Sequence, residues 1–252
     1  MRRIRDWLFT IPFLIAFGIT LLVFDLAGRV VRPFSLRGFE VVMAALQRTL
    51  MTLFWISGTR IHVERSALIE GQRGYAVISN HQSMFDIAVI GGLLFSNYPK
   101  YVAKKELGRW IPSISLNLRR GGNALIDRKD RSGAVHAITR MARVAQDRDV
   151  SVVIFPEGTR SRDGMLQRFK GAGTEALLAA ADKLAVVPTA IDGSWRLLRN
   201  NLLPVPFGTT IKVKFGDPIR RVAGDAEAAA SAAEAWIRET MASWRGHQPA
   251  EA

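Results

Sequence analysis

Apolar residues follow two regimes along the chain. Residues 8–24, LFTIPFLIAFGITLLVF, carry no charge, and residues 39–56 are apolar apart from a few polar positions, chiefly Glu40, Gln47 and Arg48. Beyond residue 57 the apolar runs shorten and the period changes. IHVE at 61–64 and TTIKVKF at 209–215 alternate as strands do. YAVIS at 75–79 and VSVVIF at 150–155 are short continuous runs, suited to strands buried on both faces. Further strands are predicted at 100–103, 124–126 and 185–191; the last contains Pro188, which predicts an edge or a bulge. Helices are predicted over 83–95, 131–147, 171–182 and 225–244. In the second of these, Val135, Ile138, Met141, Val144 and Ala145 form one apolar stripe. Trp236 and Trp244 on the last helix are expected in the core. Strands alternating with helices predict an α/β fold, a largely parallel central sheet flanked by helices. The expected organisation is an N-terminal membrane-anchoring pair of helices at 1–57, the α/β domain at 58–245, and a frayed tail at 246–252.

Seventeen residues of helix span roughly 25 Å, the short limit for crossing a bilayer core. A basic start before an apolar run also describes a signal peptide. Here the run is long for one, and Asp25 and a basic segment follow it instead of a small-residue cleavage site. Arg2, Arg3 and Arg5 precede the run, and Arg29, Arg32 and Arg37 follow it, so charge favours neither side. A helical hairpin embedded in one leaflet, both flanks at anionic headgroups, fits that symmetry. A single span is the alternative. Pro33 would help the chain turn back.

Charge sharpens the choice of partners. The 252 residues carry a formal charge of +13, which attracts polyanions: nucleic acid, anionic lipid or acidic carriers. No helix-turn-helix, zinc or RNP-like pattern supports nucleic acid. There is no Cys, so disulfides, thiolate nucleophiles and Cys metal sites are excluded. His62, His81, His136 and His247 are scattered without metal-ligand spacing. His62 reads as structural and His136 as solvated.

Chemistry concentrates where a predicted strand ends. Asn80-His81-Gln82-Ser83-Met84-Phe85-Asp86 leaves a buried strand and opens a helix, the position at which open α/β sheets place ligands. A neutral imidazole there can accept an alcohol's proton. In one continuous helix His81 and Asp86 would lie about 140° apart. With His81 in the preceding turn, its ring can fold back to the carboxylate. The competing reading is a cap, Asn80 or Ser83 at the helix start and Asp86 as a first-turn acid. Ser83 lacks a Gly-x-Ser-x-Gly elbow and is assigned to capping or packing. Phe155-Pro156-Glu157-Gly158-Thr159-Arg160-Ser161 follows the strongest strand and offers a phosphate cradle, or an ordinary turn. Gly121 to Arg128, GGNALIDR, lies in a stretch from Lys100 to Arg131 with nine Lys or Arg against three Asp or Glu. Arg128 could reach a phosphate there.

Together and in this order, the four blocks resemble the glycerolipid acyltransferase family, most closely its 1-acylglycerol-3-phosphate acyltransferases. NHQSMFD resembles its NHxSxxD motif, GGNALIDR its second block, FPEGTRS its third and VVPTAI its fourth. Lys104-Lys105-Glu106-Leu107 with Trp110-Ile111-Pro112, and Phe169-Lys170-Gly171, are also similar to family segments. The resemblance implies that His81 is the general base and Asp86 its orienting partner. Arg128 would grip the acceptor's phosphate, Glu157, Gly158, Thr159 and Arg160 would complete the acceptor pocket, and Pro188 would shape the acyl-donor side. Ala124 and Leu125 depart from the bulkier residues usual in the second block. The implied reaction needs no cofactor or metal: acyl-CoA or acyl carrier protein is co-substrate, a lysophospholipid the acceptor and a bilayer the partner. If the source is bacterial, the site would work at the cytoplasmic face of the inner membrane. Another acceptor, such as lyso-ornithine lipid, and a non-catalytic basic lipid-binding protein are the alternatives.

Overall fold

The computed structural model describes residues 2–222 and 224–246. The predicted tail beyond Gly246, with His247, lies outside them. Seven strands form one sheet in the order β1-β7-β6-β2-β5-β3-β4. They are β1 (Arg60–Arg65), β2 (Ala76–Ser79), β3 (Lys100–Lys104), β4 (Ala124–Ile126), β5 (Val152–Ile154), β6 (Val186–Asp192) and β7 (Thr210–Phe215). Every neighbouring pair is parallel except β6 with β7. The largely parallel α/β sheet expected from the strand–helix alternation is the one found.

Period-two alternation divides the core. Ala76, Ile78, Val152, Ile154, Val186 and Ala190 face α5 (Arg131–Asp147), which follows the short α4 (Ile114–Arg120) in the chain, α6 (Gly171–Ala180) and α7 (Ala226–Gly246). Trp236 and Trp244 pack on this side as expected. Val77, Val153, Val187 and Ile191 face the other way, toward a layer that includes Phe13, Phe54 and Phe85. In α5 the buried stripe is Ile138, Met141, Ala142 and Ala145, while Val135 and Val144 are exposed. The i, i+3, i+4, i+7 face is centred one position away from the expected stripe.

That second layer comes from the N-terminus. α1 (Arg2–Val31) runs unbroken through Pro12, residues 32–35 turn the chain at Pro33, and α2 (Leu36–Leu53) returns, capped by the Ser35 hydroxyl. The two helices have different roles. α2 is built into the fold: Glu40 pairs with Lys100 Nζ at 2.6 Å and with Arg148 at 2.8 Å, and Tyr101 donates to Gln47. Burial depresses the Lys100 pKa, against the pull of Glu40. α1 seats Phe13 and Phe17 against Phe85 yet leaves Leu8, Ile15, Ile19, Leu22 and Leu26 more than half exposed. Both helices are long and apolar enough to cross a membrane.

Pro188 sits on a central strand, not an edge. The bulge half of the expectation is what forms. Thr189 pairs with Phe215, but Val186, three residues back, pairs with Ile219, four residues on. The extra residue falls opposite Pro188, where a missing N–H leaves no ladder bond broken.

Candidate active site

The turn between β2 and α3 (Asp86–Leu93) is where the sheet's parallel strands end. The helix predicted from residue 83 begins at Asp86, because residues 82–85 are drawn into a turn around that residue's carboxylate. Asp86 Oδ2 accepts from the backbone N–H of Gln82 at 2.7 Å and of Ser83 at 2.8 Å, and lies 2.9 Å from His81 Nδ1. Its Oδ1 accepts from the Ser194 hydroxyl at 2.5 Å. The carboxylate is fully buried.

This arrangement decides the tautomer. An oxygen already accepting two backbone N–H groups is an acceptor toward the ring as well, so Nδ1 carries a proton. The lone pair is then on Nε2, which has no hydrogen-bond partner among the described residues. The His81 side chain is 14 % exposed. Phe155 stacks on its ring, centroids 4.1 Å apart. Of the capping alternative only the first-turn acid, Asp86, is present: the α3 cap position is Phe85, without a side-chain cap bond, and Asn80 is engaged elsewhere. Ser83 is buried and accepts from Phe85 N–H, consistent with its packing role.

The FPEGTRS turn, at the end of neighbouring β5, locks onto His81 by its backbone. Glu157 Oε1 accepts from His81 N–H at 2.8 Å, and Ser161 N–H donates to the His81 carbonyl at 2.8 Å. Glu157 Oε2 accepts from Gln167 N–H. Glu157 is 2 % exposed, with both oxygens committed to backbone, and it ties the FPEGTRS turn to the His81 backbone. Burial pushes its carboxyl above the usual range, although those N–H groups oppose the shift. Gly158 turns at φ +68°, a left-handed conformation that a side chain disfavours. Thr159 and Arg160 are exposed beside it.

Arg128 is exposed just past β4, at the same end of the sheet as His81. Three strand spacings of about 4.8 Å separate β4 from β2, roughly 14 Å. Pro188 does not join the group. It is buried in β6 on the α7 side, near Gly216 and Trp236, at the bulge described above. His62 is exposed on edge strand β1 and His136 on α5, both apart from the site.

One contributor has no local signature in the sequence. The last two residues of β6, Ile191-Asp192, and the turn after them, Gly193-Ser194, grip the His81 turn from the other side. Ile191 and the Asn80 side chain exchange two 2.8 Å bonds, Gln82 Nε2 donates to Asp192, and Ser194 donates to Asp86. Only the contacts to residues 80–86, a hundred positions earlier, reveal it.

The chain is similar to 1-acyl-sn-glycerol-3-phosphate acyltransferases from Cocos nucifera (34 % identical over 67 % of this chain and 52 % of that protein) and Limnanthes douglasii (33 % over 66 % and 57 %). It is also similar to a human form called alpha (31 % over 61 % and 53 %). It spans about half the length of these relatives. The crystal structure of the 1-acyl-sn-glycerophosphate (LPA) acyltransferase PlsC from Thermotoga maritima superposes with a TM-score of 0.79. That match covers 99 % of this chain and 100 % of that one at 21 % identity, a likeness of fold that includes the N-terminal helices. The pattern of the family described as Acyltransferase matches residues 60–192, from β1 through the whole His81 turn to the last residue of β6. More than half of the chain, and every strand around His81, therefore carries that pattern, and the chain belongs to the acyltransferase family.

Proposed function

We propose that the protein transfers an acyl chain from a thioester, acyl-CoA or acylated carrier protein, to the free sn-2 hydroxyl of 1-acylglycerol-3-phosphate, forming phosphatidate. The observation that carries this reading is the imidazole anchored through Nδ1 on a buried carboxylate, with Nε2 unpaired at the sheet's end. Nε2 takes the hydroxyl proton as the oxygen attacks the thioester carbonyl. Asp86 stabilises the imidazolium that results. The tetrahedral intermediate collapses, the carbon–sulfur bond breaks, and the imidazolium returns its proton to the departing thiolate. Arg128 and Arg160 are the cations suited to hold the acceptor's phosphate, being exposed at this end of the sheet. The acceptor is suggested by the relatives' names.

The membrane is the source of that acceptor in this reading. The exposed apolar side of α1, with Trp55 and Trp110 almost fully exposed, suits burial in one leaflet. The active-site edge then works at the lipid surface, on the cytoplasmic face if the protein is bacterial.

The test is to incubate the protein and His81→Ala with labelled oleoyl-CoA and 1-oleoylglycerol-3-phosphate and to resolve the lipids. Phosphatidate from the wild type, reduced about 10²–10⁴-fold in the variant, supports the reading. Ester formed only with another lysolipid would move the acceptor, and equal product from both proteins would remove His81 as base.

A further inference from the structure

The chain from Asp192 to Ser194 lies just past the four blocks that carry the family resemblance, and with Ile191, the last residue of the fourth, it touches the His81 turn at three places. β6 and β2 pair in parallel as far as Thr189 and Ser79. Beyond that point the Asn80 side chain continues the ladder by exchanging two bonds with Ile191. One residue on, Asp192 Oδ1 accepts from Gln82 Nε2 at 3.0 Å. Arg245 of α7 also reaches Asp192, at 3.3 Å, and holds it from behind. The backbone then reverses at Gly193, φ +91°, where a Cβ would run into the carbonyl of Thr210. That reversal aims Ser194 back at Asp86.

Ser194 is wholly buried, and its hydroxyl is the partner of Asp86 Oδ1 at 2.5 Å. The other oxygen, Oδ2, is shared by His81 and two backbone N–H groups. The two oxygens therefore have different tasks. Oδ2 faces the ring and the turn, and Oδ1 is tethered to the segment that follows β6. A carboxylate held at one oxygen can swivel about its Cβ–Cγ bond, whereas one held at both cannot. The ring is thereby aimed from two elements that the chain brings together only in the folded sheet.

We propose that Ser194 is a positioning residue for the reaction: its hydroxyl fixes the rotation of Asp86 and, through it, the orientation of the His81 imidazole. The inference rests on the acyl-transfer reading for its kinetic arm only. Ser194 is buried and has no access to a lipid acceptor, so its loss acts on the proton-transfer step and not on binding. Ser194→Ala lowers kcat by about tenfold to a hundredfold, the rate equivalent of one hydrogen bond to a charged group. KM for 1-oleoylglycerol-3-phosphate changes less than about twofold.

A second readout does not need the reaction. Diethyl pyrocarbonate carbethoxylates a free imidazole nitrogen, and the rate at His81 can be followed by mass spectrometry of its peptide across pH. In Ser194→Ala the pH midpoint of His81 modification shifts from that of the wild type. In an Asp86→Asn background the same Ser194→Ala change produces no further shift, because the route through the carboxylate is gone. A midpoint unmoved by Ser194→Ala, or moved equally in both backgrounds, overturns the proposal, as does a rise in KM with kcat unchanged. Absence of phosphatidate from the wild type would count against the acceptor reading, while the carbethoxylation comparison would still decide the role of Ser194.

Discussion

His81 and Asp86 are five residues apart, a spacing that a continuous helix would turn into opposite faces. The turn that begins α3 at Asp86 removes that obstacle, and it is stabilised by the same carboxylate that orients the ring. Two consequences belong to this scale. Asp86→Asn places an amide where two backbone N–H groups and Nδ1 converge. Its oxygen stays with those donors and its NH₂ turns to the Ser194 hydroxyl, so the imidazolium loses its countercharge and kcat falls by at least about a hundredfold, with little change in folding, as steady-state kinetics and circular dichroism would show. Glu157→Gln presents an NH₂ to one of two backbone donors. It costs about 1–3 kcal/mol and loosens the His81 backbone, so the thermal midpoint and kcat fall together. A variant as stable and as active as the wild type would return Glu157 to a peripheral role.

At the scale of elements, α2 deserves separation from α1. Glu40 is the one acid of α2, and it is 3 % exposed against Lys100 and Arg148. Removing a partner from a buried pair leaves an uncompensated charge, and Glu40→Gln is expected to cost about 3 kcal/mol or more. The measurement is chemical unfolding in detergent. A loss under about 1 kcal/mol would mean that the pair is not what fastens the helix to the sheet. The same contacts explain why residues 1–57 are a poor truncation: their removal would uncover Tyr101 and the Phe85 cluster and not merely detach an anchor.

In the proposed membrane-bound state, charge and exposed apolar area act together across the whole molecule. Replacing exposed Leu8, Ile15, Leu22 and Leu26 by Ser leaves the buried seat of α1 at Phe13 intact. Since burying one such side chain is worth about 1.5–3 kcal/mol, the variant should bind anionic vesicles at least tenfold more weakly. Binding by wild type should weaken modestly with added salt, the part due to the +13 charge. Sedimentation with vesicles, with and without salt, separates the two; unchanged binding by the serine variant would end the case for α1 as anchor.

Much of this was legible one residue at a time. The period of apolar residues located every strand to within two residues at either end and predicted α5 over the residues it occupies, because burial on one or both faces writes itself into local spacing. The His–x4–Asp pair and its place after a buried strand were equally plain. Other features depended on residues far apart in the chain. That Glu157 serves the His81 backbone, 76 residues away, that Pro188 lies at a bulge on a central strand and not at an edge, and that α2 packs into the α/β unit all follow from pairings between residues far apart in the chain. Period and motif determine which elements form and which side chains could do chemistry. Only the folded sheet, by bringing the ends of β2, β5 and β6 together, decides which oxygen holds which nitrogen.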